Sequence, residues 1–178
     1  NHRRESSQVE NFYLHDWLPQ HAGCSWLPEN DDYDVFSILA TGVSLKPWGT
    51  DNRRPGPETN WDFHRRILAI AQRVRPILRD GDYYPLSERP EDLSRWCAYQ
   101  AHLPDEDRGI IMAFRRPECS AAEQSYALHG LSPDATYELQ WADGRSERRN
   151  GADLAAGLPI KLPEPRSCAL CFYQRLQA

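Results

Sequence analysis

Apolar residues recur at three-and-four spacing from Trp61 to Leu78, the clearest helical pattern in the chain. Trp61, Ile67, Leu68, Ala71, Val74 and Leu78 would form one buried stripe. Thr59 with Asp62 three residues later resembles a capping box. Pro76 lacks the N–H that continues a helix and should bend or end it. Arg65, Arg66, Gln72, Arg73 and Arg79 fall on the solvated face. Upstream, Asp31–Leu39 (DDYDVFSIL) predicts a helix whose acidic start suits the helix dipole. NFYLHDWLP reads as a helix running into a short strand, and ILATGVSLKPW, Ile38 to Trp48, as a buried strand with its neighbours. Residues 1–80 thus alternate helix and strand, the pattern of parallel α/β architecture.

Beyond residue 80 the period changes. RWCAYQAHL, GIIMAFRRP, QSYALHGL, TYELQWAD, PIKLP and SCALCFYQRL are short and rich in aromatic, aliphatic or β-branched residues. Tyr137, Leu139 and Trp141 alternate with Glu138, Gln140 and Ala142, as in a strand buried on one side. Leu131-Ser132-Pro133-Asp134 and Asp143-Gly144 are turn signals. Glu118 to Glu123, around Cys119, reads as a strand-to-strand loop. The expected fold is an antiparallel β-sandwich over 81–178, after an α/β segment over 1–80. The change falls at GDYYPLS, Gly81 to Ser87. Asn52–Asn60, with two prolines, reads as a surface loop and not a linker.

Composition narrows the function classes. The chain has 178 residues, is 40% hydrophobic and 26% charged, and carries a formal net charge of -5. That balance, without basic clusters interleaved with aromatics, points away from nucleic acid. No apolar run approaches a membrane span, and the polar start NHRRESSQVE lacks a signal-peptide core. Five scattered cysteines argue against a disulfide framework and for a reducing, cytoplasmic location. Cys168 and Cys171 form a CxxC, but within a strand they point to opposite faces, poor for zinc. Asp31, Asp32 and Asp34 lack the central Gly and distant Glu of a calcium loop. No phosphate-binding loop, dinucleotide fingerprint or nucleophile elbow occurs.

An ordered set of motifs resembles one family. GDYYPLS, RWCAYQ, GIIMAFRR, LHGLSPDATYELQ and GADLAAGLPIKL occur as in the C-terminal region of melibiase-type α-galactosidases, glycoside hydrolase family 36. YLHDWLPQHAG and YDVFSILATGVSL resemble its late barrel segments. The resemblance implies the last strand-helix units of a (β/α)8 barrel followed by the β-sandwich, with Tyr83, Tyr84 and Pro85 at the joint. It implies a retaining hydrolase of terminal α-galactosides or related α-linked sugars, using two carboxylates and no cofactor. Both carboxylates of the family pattern fall upstream of Asn1, so no catalytic residue is assigned and this chain alone is expected to be inactive. Where the family usually has Arg-Ser, this chain has Phe36-Ser37, which removes a charged fork. Ligand groups in such barrels come from strand C-termini. Trp17, His21, Trp48 and Asp51 are therefore the candidate substrate-binding residues, with no metal site. Expected partners are the sugar, the remainder of the barrel from the same gene or another chain, and a second copy in a homo-oligomer, with neither nucleic acid nor membrane. The competing readings are a noncatalytic carbohydrate- or partner-binding sandwich module, and an inactive relative of the enzyme.

Overall fold

The structure is a computed structural model that describes residues 3–14, 25–26, 31–39, 43–44 and 59–177. The chain divides into two compact units, Asn1–Arg79 and Asp80–Ala178. The first contains α1 (Arg3–Leu14), β1 (Ser25–Trp26), α2 (Asp32–Leu39), β2 (Val43–Ser44) and nearly all of α3 (Trp61–Asp80). β1 and β2 pair in parallel, Ser25 opposite Val43 and Trp26 opposite Ser44, with α2 between them in sequence. A parallel pair needs such a crossover.

The α2 helix begins where its acids predict. Asp31 Oδ1 accepts a hydrogen bond from the Tyr33 amide at 2.8 Å, and the Asp31 carbonyl from the Val35 amide at 3.0 Å. The strand expected from Ile38 onward needs correction. Ile38 and Leu39 complete α2, and the described strand is Val43–Ser44. A continuous apolar run does not distinguish the end of a buried helix from the start of a strand.

α3 departs from expectation in its cap and in its buried stripe. Its N-terminus is capped by Asn60, whose Oδ1 accepts from the Phe63 amide at 3.0 Å. The described cap thus lies one residue after the expected Thr59, and Asp62 pairs with Arg65 at 2.7 Å. Pro76 does not end the helix, which runs on to Asp80 without the i→i−4 bond from residue 76 to Gln72. The buried stripe is Ile67, Val74, Ile77 and Leu78, while Trp61 and Leu68 are 44% and 45% exposed. Trp61 and Leu68 lie seven residues apart on one face, and Ile67 points about 100° away from Leu68. Arg66 pairs with Asp32 of α2 and lies 5.3 Å from the centroid of the Phe63 ring.

The second unit is mostly antiparallel sheet. Six strands run in the order β3 (Asp82–Pro85), β4 (Cys97–Leu103), β5 (Arg108–Arg115), β10 (Ser167–Arg175), β7 (Thr136–Trp141) and β8 (Ser146–Asn150). β6 (Glu123–Tyr126) and β9 (Leu158–Lys161) form a separate antiparallel ribbon, with Tyr126 opposite Leu158. α4 (Gly151–Ala156) precedes β9 and is capped by Asn150 Oδ1, which accepts from the Ala152 amide at 2.8 Å.

One core joins the sheet, the ribbon and α4. Ala98, Ile111, Leu139, Trp141 and Cys171 from the sheet pack with Tyr126 and Ile160 of the ribbon and Leu154 of α4. β7 follows the expected alternation, with Tyr137, Leu139 and Trp141 buried. β4 is buried along its whole length and so reads as a nearly unbroken apolar run. GDYYP belongs to this sheet: Tyr83 pairs with Ala101 and Tyr84 with Gln100. Cys168 is half-buried and Cys171 fully buried, and both are thiols. β8 and α4 have no counterpart in the sequence expectations.

Candidate functional site

Trp17, His21, Trp48 and Asp51, the expected pocket residues, lie outside the described residues. The acidic run at the start of α2 is taken up by structure. Asp31 caps the helix, Asp32 pairs with Arg66, and Asp34 lies 3.8 Å from Arg4. Among the described residues no group of three or more His, Cys, Asp or Glu could hold a metal ion.

In the first unit a buried polar lock joins α1 to α2. Gln8 and Asn11, three apart, share one helix face. Gln8 Nε2 donates to Ser37 Oγ and Asn11 Nδ2 donates to the Ser37 carbonyl, both at 2.8 Å. Ser37 Oγ donates to the Tyr33 carbonyl at 2.6 Å, and Tyr33 Oη donates to Glu5 Oε1 at 3.2 Å. Phe36 beside this lock is buried. Ser37 thus holds α2 in place, while Phe36 contributes apolar packing and offers no charge to a ligand.

In the second unit the polar groups converge on Tyr173. Gln100 Nε2 donates to Tyr173 Oη at 2.7 Å and to the His129 carbonyl at 2.8 Å. Gln100 Oε1 accepts from the His129 amide at 2.8 Å. His102 Nδ1 lies 3.0 Å from Tyr173 Oη, with the two rings stacked. Tyr173 Oη can donate to His102 Nδ1 when that nitrogen is unprotonated, so the direction of this bond follows the imidazole's tautomer. Tyr137 Oη donates to Asp107 Oδ1 at 2.7 Å and accepts from the Ser132 amide at 2.9 Å. Tyr84 stacks on His129 at 5.0 Å, which ties the GDYYP strand to the same network.

The electrostatics of these groups favour neutrality. Burial pushes the Tyr99, Tyr137 and Tyr173 phenols up and the Cys171 thiol up, and raises the Cys97 thiol to about 12. None of them is an activated nucleophile, because desolvation penalises the charged form. Burial likewise lowers His102 below its ordinary 6.5, against the opposing pull of Asp107, Asp82 and a backbone bond with Gly130. The arrangement positions strands and does not perform acid–base chemistry. The sequence reading missed it, although a signal existed: Gln100 and His102 stand two apart in a strand otherwise made of apolar residues.

A pH dependence follows. His102 titrates lower when folded, so between its folded value and 6.5 the unfolded chain binds more protons. Stability contributed by neutral His102 is complete above 6.5 and falls as pH drops through that window. Melts of wild type and His102→Asn at pH 7.5 and 5.5 should differ, with the larger acid-induced drop in wild type. Equal drops would remove His102 from the account.

No protein-family model matches the chain. Over 121 residues, 67% of this chain and 15% of the relative, it is 30% identical to a probable alpha-galactosidase C of Aspergillus terreus. Over 110 residues, 61% of this chain and 14% of the relative, it is 28% identical to the probable alpha-galactosidase C of Aspergillus oryzae. The chain therefore spans about one seventh of the length of these relatives. Its fold matches the galactosidase domain of an alpha-galactosidase-sucrose kinase, AgaSK, with TM-score 0.68 at 18% identity, covering 95% of this chain and 25% of that one. A variant of the family 36 alpha-galactosidase AgaA from Geobacillus stearothermophilus in complex with raffinose matches with TM-score 0.69 at 16% identity, over 95% of this chain and 24% of that one. The antiparallel unit is of the class found at the C-terminal end of family 36 glycoside hydrolases. Sequence and fold together place the chain with the C-terminal regions of family 36-like α-galactosidases.

Proposed function

We propose that this chain is the C-terminal portion of a retaining α-galactosidase-like glycoside hydrolase that acts on terminal α-linked sugars. In this reading residues 1–80 supply the last strand-helix units of the barrel and 81–178 the sandwich that supports them. The observation that carries the proposal is the 30% identity over 121 residues to a probable alpha-galactosidase C. The parallel β1–β2 pair with α2 between is the local geometry a barrel wall requires, and supports the same reading. Both carboxylates of the retaining pair come from chain outside these residues. This segment then acts by closing the barrel and by fixing Trp17, His21, Trp48 and Asp51 around the sugar.

The test compares the 178-residue chain with a polypeptide extended upstream to the relatives' length. The extended protein should hydrolyse an aryl α-galactoside, and proton NMR should show the α-anomer as the first product. The short chain should show no turnover. First appearance of the β-anomer would overturn retention. Turnover by the short chain, abolished by a point substitution within it, would overturn the placement of the carboxylates.

A further inference from the structure

Four strands of the β unit lie at sheet edges: β3 and β8 in the large sheet, β6 and β9 in the ribbon. Along an antiparallel edge strand, alternate residues bond inward and the rest turn their N–H and C=O outward. In the ribbon the Leu162 amide donates to the opposite Ala122 carbonyl at 2.8 Å. Gln124–Ile160 and Tyr126–Leu158 are therefore bonded pairs, and Glu123, Ser125, Pro159 and Lys161 turn outward. Pro159 has no N–H to offer, which blunts the β9 edge. On β3 the Leu86 amide donates to the Ala98 carbonyl at 2.9 Å, so Tyr83 and Pro85 turn outward and a proline again blunts the edge. β8, SERRN, is defended by its charges. β6 contains no proline, and its one charge, Glu123, stands at the strand's first position.

The outward main chain of Glu123 and Ser125 has no hydrogen-bond partner among the described residues, and both residues are exposed. An open groove of about 570 Å³ lies beside Gln124 and Ser125, so another strand has room to reach this edge. What fits such a row of N–H and C=O groups is another extended main chain. The sequence of β6 says whose. Set two copies of EQSY antiparallel about a two-fold axis at Gln124, and Glu123 of each faces Ser125 of the other. Each copy then gives two N–H and two C=O groups, for four main-chain bonds in all. The two Glu123 carboxylates are kept from direct opposition. The residue that meets itself at the axis is Gln124, whose amide carries both a donor and an acceptor and so pairs with its own copy.

We propose that the outer edge of β6 is a self-association surface, at which two copies of this chain join their ribbons into one four-stranded sheet through Glu123, Gln124 and Ser125. Each ribbon has two strands, and pairing of isolated two-stranded ribbons gains from further strands. Four main-chain bonds against the cost of association give a weak, concentration-dependent contact. The surface requires no hydrolysis, so it stands or falls separately from the proposed reaction.

The test is trapping at the axis in the full 178-residue chain. The two Gln124 residues would stand in a pair whose Cα atoms are about 4.5 Å apart, within the reach of a disulfide. Gln124→Cys should therefore form a disulfide-linked dimer once reductant is removed, faster than wild type and faster than Arg148→Cys on the exposed β8 strand. Sedimentation velocity over a concentration series should show reversible dimerisation of wild type. Ser125→Pro removes one outward N–H from each copy and should weaken the dimer about thirty-fold. Its melt should match wild type, because that N–H makes no bond to β9. Gln124→Lys sets like charges at the axis, leaves the ribbon's own bonds in place and should weaken the dimer about ten-fold. The proposal is overturned if Gln124→Cys traps no faster than Arg148→Cys, if wild type sediments as a monomer throughout, or if Gln124→Lys dimerises as tightly as wild type, which would put the contact elsewhere.

Discussion

Replacing Arg115 by alanine is expected to destabilise the β unit by about 3–5 kcal/mol. Arg115 closes β5 and is buried. None of its partners is a carboxylate. Nε and Nη2 donate to the Cys119 carbonyl at 3.1 and 2.9 Å, and Nη1 donates to the carbonyls of Leu162 and Pro163 at 2.9 and 2.5 Å. One guanidinium thus ties the loop after β5 to the segment after β9. Truncation leaves these carbonyls facing a void, at about 1–3 kcal/mol for each that water does not reach. Arg115→Lys keeps the charge but not the planar fork, so it should reach one loop and lose about half as much. Urea unfolding followed by tryptophan fluorescence measures both. Arg115→Ala within about 1 kcal/mol of wild type would refute the staple.

Arg115 also marks the limit of what the sequence discloses. Both arginines of GIIMAFRRP are buried, and Arg116 donates to the Pro90 carbonyl at 2.9 Å and to the Asp92 carbonyl. The oxygens that Arg115 bonds, and these two of Arg116, are main-chain ones, present at every position, so no pattern of residue types points to them. β4, β5, β7 and β10 were legible because a buried strand needs apolar side chains on one face or both. β8, with the sequence SERRN, was not. It is a largely exposed edge strand held by pairing with β7, Leu139 opposite Glu147, and pairing leaves no apolar trace. The six-residue α4 is too short to show a period. On α3 the spacing of Trp61 and Leu68 matched a helix face but could not say which of two apolar faces is buried. The α1–α2 lock was hidden for a related reason: Gln8, Asn11 and Ser37 look like ordinary surface residues until positions 26 to 29 apart in sequence come together. The candidate sugar-pocket residues fall outside the described residues, so the pocket rests on resemblance alone.

Gly109→Ala is the second substitution with a large expected effect, about 3 kcal/mol or more. Gly109 sits in β5 between Tyr173 of β10 and His102 of β4. A methyl group there would lie 2.2 Å from Tyr173 Oη, 2.4 Å from Tyr173 Cζ and 2.3 Å from the Ala101 carbonyl. The carbonyl is main chain and cannot turn away. The phenol is the hub that Gln100 and His102 hold, so moving it breaks their bonds at 2.7 and 3.0 Å. The disturbance extends further, because Gln100 also anchors His129, and Tyr84 of the GDYYP strand stacks on that imidazole. Gly109→Ala should therefore loosen β3 as well as lower the melt, and hydrogen exchange at Tyr83 and Tyr84 should quicken more than at Leu139 or Tyr137 of β7. Combining it with Tyr173→Phe relieves the hydroxyl contact but not the main-chain one. The double variant should then be less destabilised than the two single effects summed, yet remain below Tyr173→Phe alone. A Gly109→Ala melt close to wild type, or strict additivity in the double variant, would show that this corner of the sheet yields easily and that the network does not hold the GDYYP strand.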